Sequence, residues 1–203
     1  MLSKPHPTVI VDGLTLSVPR GVLDPVRFRS GSWVAPRIAA HLQSGCRLLD
    51  LGCGSGVIGA LCQRAGASVV AVDIDRRAVR AARLNGMPDV RHGDLFAPVA
   101  GERFDVISFN PPYFQGRWQL KRYGRALYGG KRLQVIRRFI AALPDHLSED
   151  GEALVVLSDR APEAIEVLGT GWSVLAEEVV AEGTERLLLF SISAGGLRSP
   201  SRR

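Results

Sequence analysis

The densest group of reactive side chains is Asn110-Pro111-Pro112-Tyr113, which closes the apolar run Phe104 to Phe109. Val106, Ile107 and Phe109 read as a short buried strand. Two consecutive prolines remove two backbone donors and stop the chain from continuing as helix or sheet. The strand therefore ends in an amide side chain, a free carbonyl and an aromatic ring. Such groups accept hydrogen bonds and pack on flat surfaces. In open α/β sheets the carboxyl end of a strand is also where ligands bind. The bland alternative is a turn that merely ends a strand.

The elements around this corner alternate. Thr8 to Val11 and Leu14 to Val18 flank Asp12-Gly13, a two-residue link that predicts a hairpin. Trp33 to Leu42 reads as a helix capped by Ser32. Strands follow at Arg47 to Leu51, Ser68 to Val72, Asp89 to His92 and Phe104 to Phe109, with helices at Val57 to Arg64 and Arg76 to Leu84. After a long loop come a helix near Leu133 to Leu147, a strand at Glu152 to Leu157, a helix at Pro162 to Leu168, and strands at Trp172 to Val180 and Glu185 to Ser193. This order predicts an α/β, doubly wound, mostly parallel seven-stranded sheet behind a small N-terminal β-hairpin. The last two strands are too close in sequence to be parallel neighbours, so one strand near the C-terminus runs antiparallel. Residues 1–31 are expected to form the hairpin and a lid, 32–193 the catalytic domain, and 194–203 a disordered basic tail.

A second reactive stretch opens this alternation. In Leu48-Leu49-Asp50-Leu51-Gly52-Cys53-Gly54-Ser55-Gly56 the glycines let a ligand approach the backbone, and a helix start follows. Asp50 stands at the strand end, where a carboxylate can hold an ammonium group. Asp73 closes the second strand, where ribose hydroxyls are read in doubly wound folds. Asp94, in Gly93-Asp94-Leu95, follows the third strand and can accept from an adenine amino group. Asp75 reads as a helix cap. A pyrophosphate would meet Asp50; an amino acid joined to adenosine suits the site better.

In order, LDLGCGSG, VDIDRRAV, GDLF and FDVISFNPPY resemble the motif set of class I S-adenosylmethionine-dependent methyltransferases over about Leu48 to Tyr113. The resemblance implies a Rossmann-like methyltransferase fold and S-adenosyl-L-methionine as cofactor. It places Asp50, Gly52 and Gly54 around the methionine part, Asp73 and Ile74 at the ribose, and Asp94 and Leu95 near the adenine. Within that superfamily, Asn-Pro-Pro-Tyr marks enzymes that methylate a planar nitrogen, with Asn110, Pro111 and Tyr113 as catalytic residues and Asn110 also touching the cofactor. The Asn110 oxygen and the Pro111 carbonyl each accept one N–H of the acceptor's NH₂, which concentrates electron density on nitrogen as the methyl moves. Pro112 keeps Pro111 extended, and Tyr113 packs on the flat face of the acceptor. The region Arg125 to Phe139 and the ending EGTERLLLF resemble the single-domain branch of HemK-type glutamine methyltransferases of release factors. A protein glutamine amide is therefore the leading acceptor, with nucleic-acid adenine or a small anionic metabolite as the alternative. A non-catalytic binding module is the third reading.

Composition adds a local charge. Eight basic residues and no acid fall between Asn110 and Pro144, which exceeds the whole net charge of +6, so the rest of the chain is net acidic. The loop 117–132 is thus the expected docking surface for a protein or anionic substrate, with Pro112, Phe114, Arg117 and Arg125 touching it. The lid segment Leu23 to Ser30 carries Arg27 and Arg29 where the family has acids, which also suits an anionic partner. Some relatives of this branch need a small activator subunit. No run is long and apolar enough for a transmembrane helix. Three cysteines, with no zinc-like spacing, point to free thiols in the cytoplasm and to no metal site.

Overall fold

A computed structural model describes residues 6–116, 123–180 and 183–197. The chain opens on a hairpin, β1 (Thr8–Val11) against β2 (Leu14–Ser17). Asp12 and Gly13 both take positive φ, as a tight two-residue turn requires. Seven more strands form the main sheet: β3 (Arg47–Leu51), β4 (Ser68–Asp73), β5 (Val90–His92), β6 (Phe104–Phe109), β7 (Leu147–Ser158), β8 (Trp172–Val180) and β9 (Glu185–Ser193). Their order is β5-β4-β3-β6-β7-β9-β8, parallel throughout except for β9, which lies antiparallel between β7 and β8. The sequence-based architecture therefore holds.

Helices α1 (Ser30–His41), α2 (Val57–Arg64) and α3 (Arg76–Leu84) cover one face. The short α4 (Gly124–Leu127) precedes α5 (Gln134–His146), which covers the other face with α6 (Pro162–Leu168). The central strands alternate their side chains between the two layers. Leu48, Leu154 and Val156 pack with Ile38, Ile58 and Leu61. Leu49, Val155 and Leu157 pack with Ile136, Phe139 and Leu143. Both faces are buried, which is why these strands read as unbroken apolar runs. Phe139 of α5 stacks against Phe96 and Phe109, directly beneath the end of β6. Burying such a ring contributes about 2–3 kcal/mol.

Three local expectations are corrected. First, α1 starts at Ser30, ahead of the Ser32 cap read from the sequence. Arg29 turns the chain at φ 58, and the Ser32 hydroxyl donates back to its carbonyl from inside the helix. Second, β7 starts at Leu147 instead of Glu152, because Leu147 already pairs with Phe104 before the register shifts. Third, the tail is ordered at its start. Ala194–Leu197 forms a helical turn, α7, and Ala194 is buried. Among the described residues no helix is long and apolar enough to cross a membrane.

Candidate active site

The carboxyl ends of β4, β3 and β6 open on one cavity of about 660 Å³. Sheet order divides it. The glycine loop after β3 and the acids after β4 and β5 line one half. The Asn-Pro-Pro-Tyr corner after β6 sits in the middle, and the ends of β7 and β9 bound the other half.

In the first half the glycine loop spends most of its amides within the protein. The Gly52 and Cys53 N–H groups donate to the Val72 carbonyl, and Gly56 N–H donates to the Cys53 carbonyl. Gly54 N–H donates to Asp73 Oδ2 at 2.9 Å. With these donors engaged, the loop offers little to a phosphate, and the Gly52 and Gly54 carbonyls, which accept from nothing among the described residues, suit an ammonium group. A Cβ at Gly54 would meet nothing within 4 Å, so the backbone there faces open cavity. Gly52 is required differently: it turns at φ 67 and its missing Cβ faces the Phe109 ring at 3.3 Å.

Asp50 is corrected too. It is 1% exposed, does not line the cavity, and lies behind the loop. Its Oδ2 accepts the Gly59 N–H at 2.9 Å, and Ser108 donates to Oδ1. It thus fastens the first turn of α2 beneath the glycine loop. Burial raises its pKa from 3.8 to about 7, opposed by the Gly59 N–H and reinforced by the charge of Asp73. A carboxyl that ionises later in the folded chain than in the unfolded one stabilises least at high pH. Stability should therefore fall by up to about 4 kcal/mol as pH rises from about 4 to 7 through this group. Asn at this position can still accept from Gly59 and carries no charge. Urea midpoints should show Asp50→Asn gaining on the wild type as pH rises across that window; parallel curves would refute the assignment.

Asp73 sits in the cavity wall with Ile74 beside it. Oδ1 accepts from Asp75 N–H at 2.8 Å while Oδ2 holds Gly54, so both oxygens are fixed, each with capacity left for a hydroxyl. Burial raises its pKa against these hydrogen bonds. Asp75 is a helix cap as read, accepting from Arg77 N–H at the start of α3. Ile74 is 44% exposed, an apolar surface at the rim that fits the edge of a flat base. Asp94 and Leu95 also line the cavity, but Asp94 Oδ2 pairs with Arg138 Nη1 of α5 at 2.9 Å. Arg138 thus takes part of the accepting capacity of Oδ2, and Oδ1 is the less engaged oxygen for an adenine amino group. Arg138 was read from the sequence as one of a run of bases, with nothing to mark it as a partner of Asp94.

At the corner, Asn110, Pro111, Pro112, Tyr113 and Phe114 all line the cavity. Asn110 Nδ2 donates to Ser30 Oγ at 3.0 Å, which leaves Oδ1 for a ligand. Among the described residues nothing donates to the Pro111 carbonyl. Phe114 is clamped: its N–H donates to the Leu127 carbonyl and its carbonyl accepts from Gly129 N–H. Gly129 lies against the Pro112 carbonyl, where a Cβ would come within 2.4 Å, so this glycine sets the path of the corner. The Tyr113 phenol is pushed up to about 12 by burial, then by the charge of Glu185, against a hydrogen bond from Ser30. Tyr113 packs edge-on against Phe114 at 4.9 Å, so its ring is held by the protein.

Residues of the segment 21–31 form part of the cavity wall. Leu23, Asp24, Pro25 and Phe28 line the cavity, and Phe28 meets Tyr123 edge-on at 5.3 Å. Asp24 Oδ1 accepts from the Val26 and Arg27 N–H groups and shapes the bend. Arg117 and the Arg125 side chain lie outside the described residues, and of the expected docking loop 117–132 the residues 123–132 are described. Ser30 and Glu185 were missed as site residues. A lone serine in an irregular stretch and a glutamate opening a strand carry no local signal.

The fold and site define a class, the S-adenosylmethionine-dependent methyltransferase domain. A family model described as the methyltransferase small domain matches residues 35–185, and the chain belongs to that family. Ribosomal RNA small subunit methyltransferase C of Chromohalobacter salexigens is 36% identical over 133 residues, covering 58% of this chain and 39% of that one. Release factor glutamine methyltransferase of Xylella fastidiosa is 35% identical over 121 residues, covering 52% and 44%. The chain thus spans about two-fifths of the length of these curated relatives. The Mtq2-Trm112 complex of E. cuniculi, responsible for methylation of the eRF1 translation termination factor, is similar at a TM-score of 0.63. It is 23% identical, with 84% of this chain and 97% of that chain covered, a likeness of fold.

Proposed function

We propose that this protein transfers a methyl group from S-adenosylmethionine to a planar NH₂ group at the Asn110 corner, a protein glutamine amide being the first acceptor. The cofactor supplies an electrophilic methyl on a sulfonium centre. The Asp73 oxygens would hold the ribose, the carbonyls of the glycine loop the methionine ammonium, and Ile74 and Leu95 the base. One observation carries the reading: Ser30 engages Asn110 Nδ2, leaving Oδ1 to work with the Pro111 carbonyl as a pair of acceptors. An amide or aniline-like nitrogen is a weak nucleophile because its lone pair is delocalised. Two fixed acceptors polarise its N–H bonds as bonding to carbon begins, and they need no reorganisation at that moment. No strong base is needed beforehand, because the nitrogen loses its proton more readily once alkylated.

The relative named as a release factor methyltransferase supports glutamine. The rRNA-modifying relative, with Arg27 and Arg29 exposed on the lid, supports a nucleobase amine as the second reading. The fold likeness to a two-chain complex supports a small activator subunit, and translation components as acceptors support a cytoplasmic site of action. Tritiated methyl transfer into lysate tests the acceptor. Label that survives nuclease, is lost on protease treatment and appears as N5-methylglutamine is the expected result, and Asn110→Ala should label the lysate about a hundredfold more slowly. Label in nucleic acid would establish the second reading; label in no fraction would refute both.

A further inference from the structure

Helix α3 packs Val79 and Ala82 into the core beside the sheet. Arg77, Ala81 and Asn85 follow one another four residues apart and so share a second face of the same helix. The chain between β2 and α1 lies along that face. Gly21 sits against the Arg77 guanidinium. Val18 and Val22 pack on Ala81, and all three are buried. At the end of the face Asn85 holds Ser17 twice. Its Oδ1 accepts the Ser17 N–H at 2.7 Å, and its Nδ2 donates to the Ser17 carbonyl at 2.9 Å.

An amide NH₂ has a second proton to give. Nδ2 also donates to the Ser55 carbonyl of the glycine loop, at 2.8 Å. One side chain thus bonds two segments that stand 68 and 30 positions away along the chain. Asn85 does not itself line the cavity. What it joins does: Ser55 on the glycine loop, and Leu23, Asp24, Pro25 and Phe28 on the segment rooted at Ser17. The pattern of one acceptor and two donors is that of an amide. A carboxylate here would keep the Ser17 N–H and turn its charge on two carbonyls. Ending α3 does not need this side chain, because the cap contact runs from the Asn85 main-chain N–H to the Ala81 carbonyl.

We infer that Asn85 is a positioning residue for the cofactor: its amide holds the root of segment 18–30 to the glycine loop, so that two walls of the cofactor half stand in one arrangement before a ligand arrives. Without the amide the free chain spreads over other arrangements, and apparent affinity falls with the fraction that remains competent. The coupling is reciprocal: a ligand that needs both walls in place steadies the Ser17 root. The role rests on the reading of this cavity as the S-adenosylmethionine site.

Calorimetry and hydrogen exchange followed by NMR test it together. Asn85→Ala should bind S-adenosylhomocysteine about tenfold more weakly, although it removes no atom from the cavity wall. Asn85→Asp, which keeps the acceptor and loses both donors, should bind as weakly. In the wild type S-adenosylhomocysteine should slow exchange of the Ser17 N–H; in Asn85→Ala that N–H should exchange about tenfold faster and ignore the ligand. Methyl transfer into lysate by Asn85→Ala should return to the wild-type rate at saturating cofactor, since the Asn110 corner is untouched. Val18→Ala loosens the same root while leaving Asn85 and the cavity lining in place. It should weaken binding several-fold, and it carries the test if the Asn85 variants do not fold. Affinity unchanged in these variants, or a rate that stays low at saturating cofactor, overturns the positioning role. Weakened affinity with Ser17 still protected by the ligand overturns the coupling. A wild type that binds no S-adenosylhomocysteine overturns the reading of the cavity; a wild type that binds, beside variants that bind equally well, overturns the role of Asn85 alone.

Discussion

Asn110→Ala binds S-adenosylmethionine as the wild type does and transfers methyl groups about a hundredfold more slowly, the scale of losing one preorganised hydrogen-bonding group at a reaction centre. Binding survives because the groups assigned to the cofactor come from other elements: the glycine loop after β3, Asp73 at the end of β4 and the Gly93-Asp94-Leu95 turn after β5. The fold survives because Asn110 is only partly buried, and among the described residues its side chain hydrogen-bonds the Ser30 hydroxyl. What disappears is Oδ1, one of two acceptors for the reacting NH₂. Turnover and cofactor affinity should therefore separate, with the loss falling on kcat. Full turnover in the variant would remove the side chain from the mechanism, and a parallel loss of cofactor affinity would make its role one of binding.

Asp73→Ala loosens cofactor binding by about a hundredfold or more, because two kinds of interaction vanish together. The ribose hydroxyls lose their acceptor. The Gly54 and Asp75 N–H groups, which the same carboxylate holds at 2.9 and 2.8 Å, lose theirs as well. A buried donor left without a partner costs about 1–3 kcal/mol, so the glycine loop and the turn into α3 loosen before any ligand arrives. Asp73→Asn keeps one acceptor oxygen and should fall between the two. Calorimetric titration with S-adenosylhomocysteine reads both variants; equal affinity in Asp73→Ala would refute the ribose assignment.

The features visible in the sequence share a cause. Strands β3, β4, β6 and β7 are buried on both faces, so their apolar runs are unbroken and their boundaries are marked by Asp, Gly or Pro. Pro111 and Pro112 show where β6 stops, because a chain lacking two N–H groups cannot stay in a sheet. The positions of Asp73 and Asp94 follow from the same rule, since a carboxylate at a strand end marks the rim of the cavity. Asp50 obeyed that pattern and still pointed elsewhere: sequence gives its place on the strand, while the Gly59 N–H decides which way the carboxylate turns. In the same way, that the amides of the glycine loop are spent on Val72, Cys53 and Asp73 is visible only in the fold. Ser30 and Glu185 were invisible because they reach the cavity from distant parts of the chain, Ser30 meeting Asn110 across 80 positions, and only the closed fold brings them there. The Arg138–Asp94 pair is of the same long-range kind.

The central claim is that the cavity over β3, β4 and β6 holds S-adenosylmethionine against the Asn110 corner. Calorimetric titration of the purified chain with S-adenosylhomocysteine tests it most directly. The account predicts one-to-one binding that is retained in Asn110→Ala and lost in Asp73→Ala. No binding of either S-adenosylhomocysteine or S-adenosylmethionine by the wild type would contradict it.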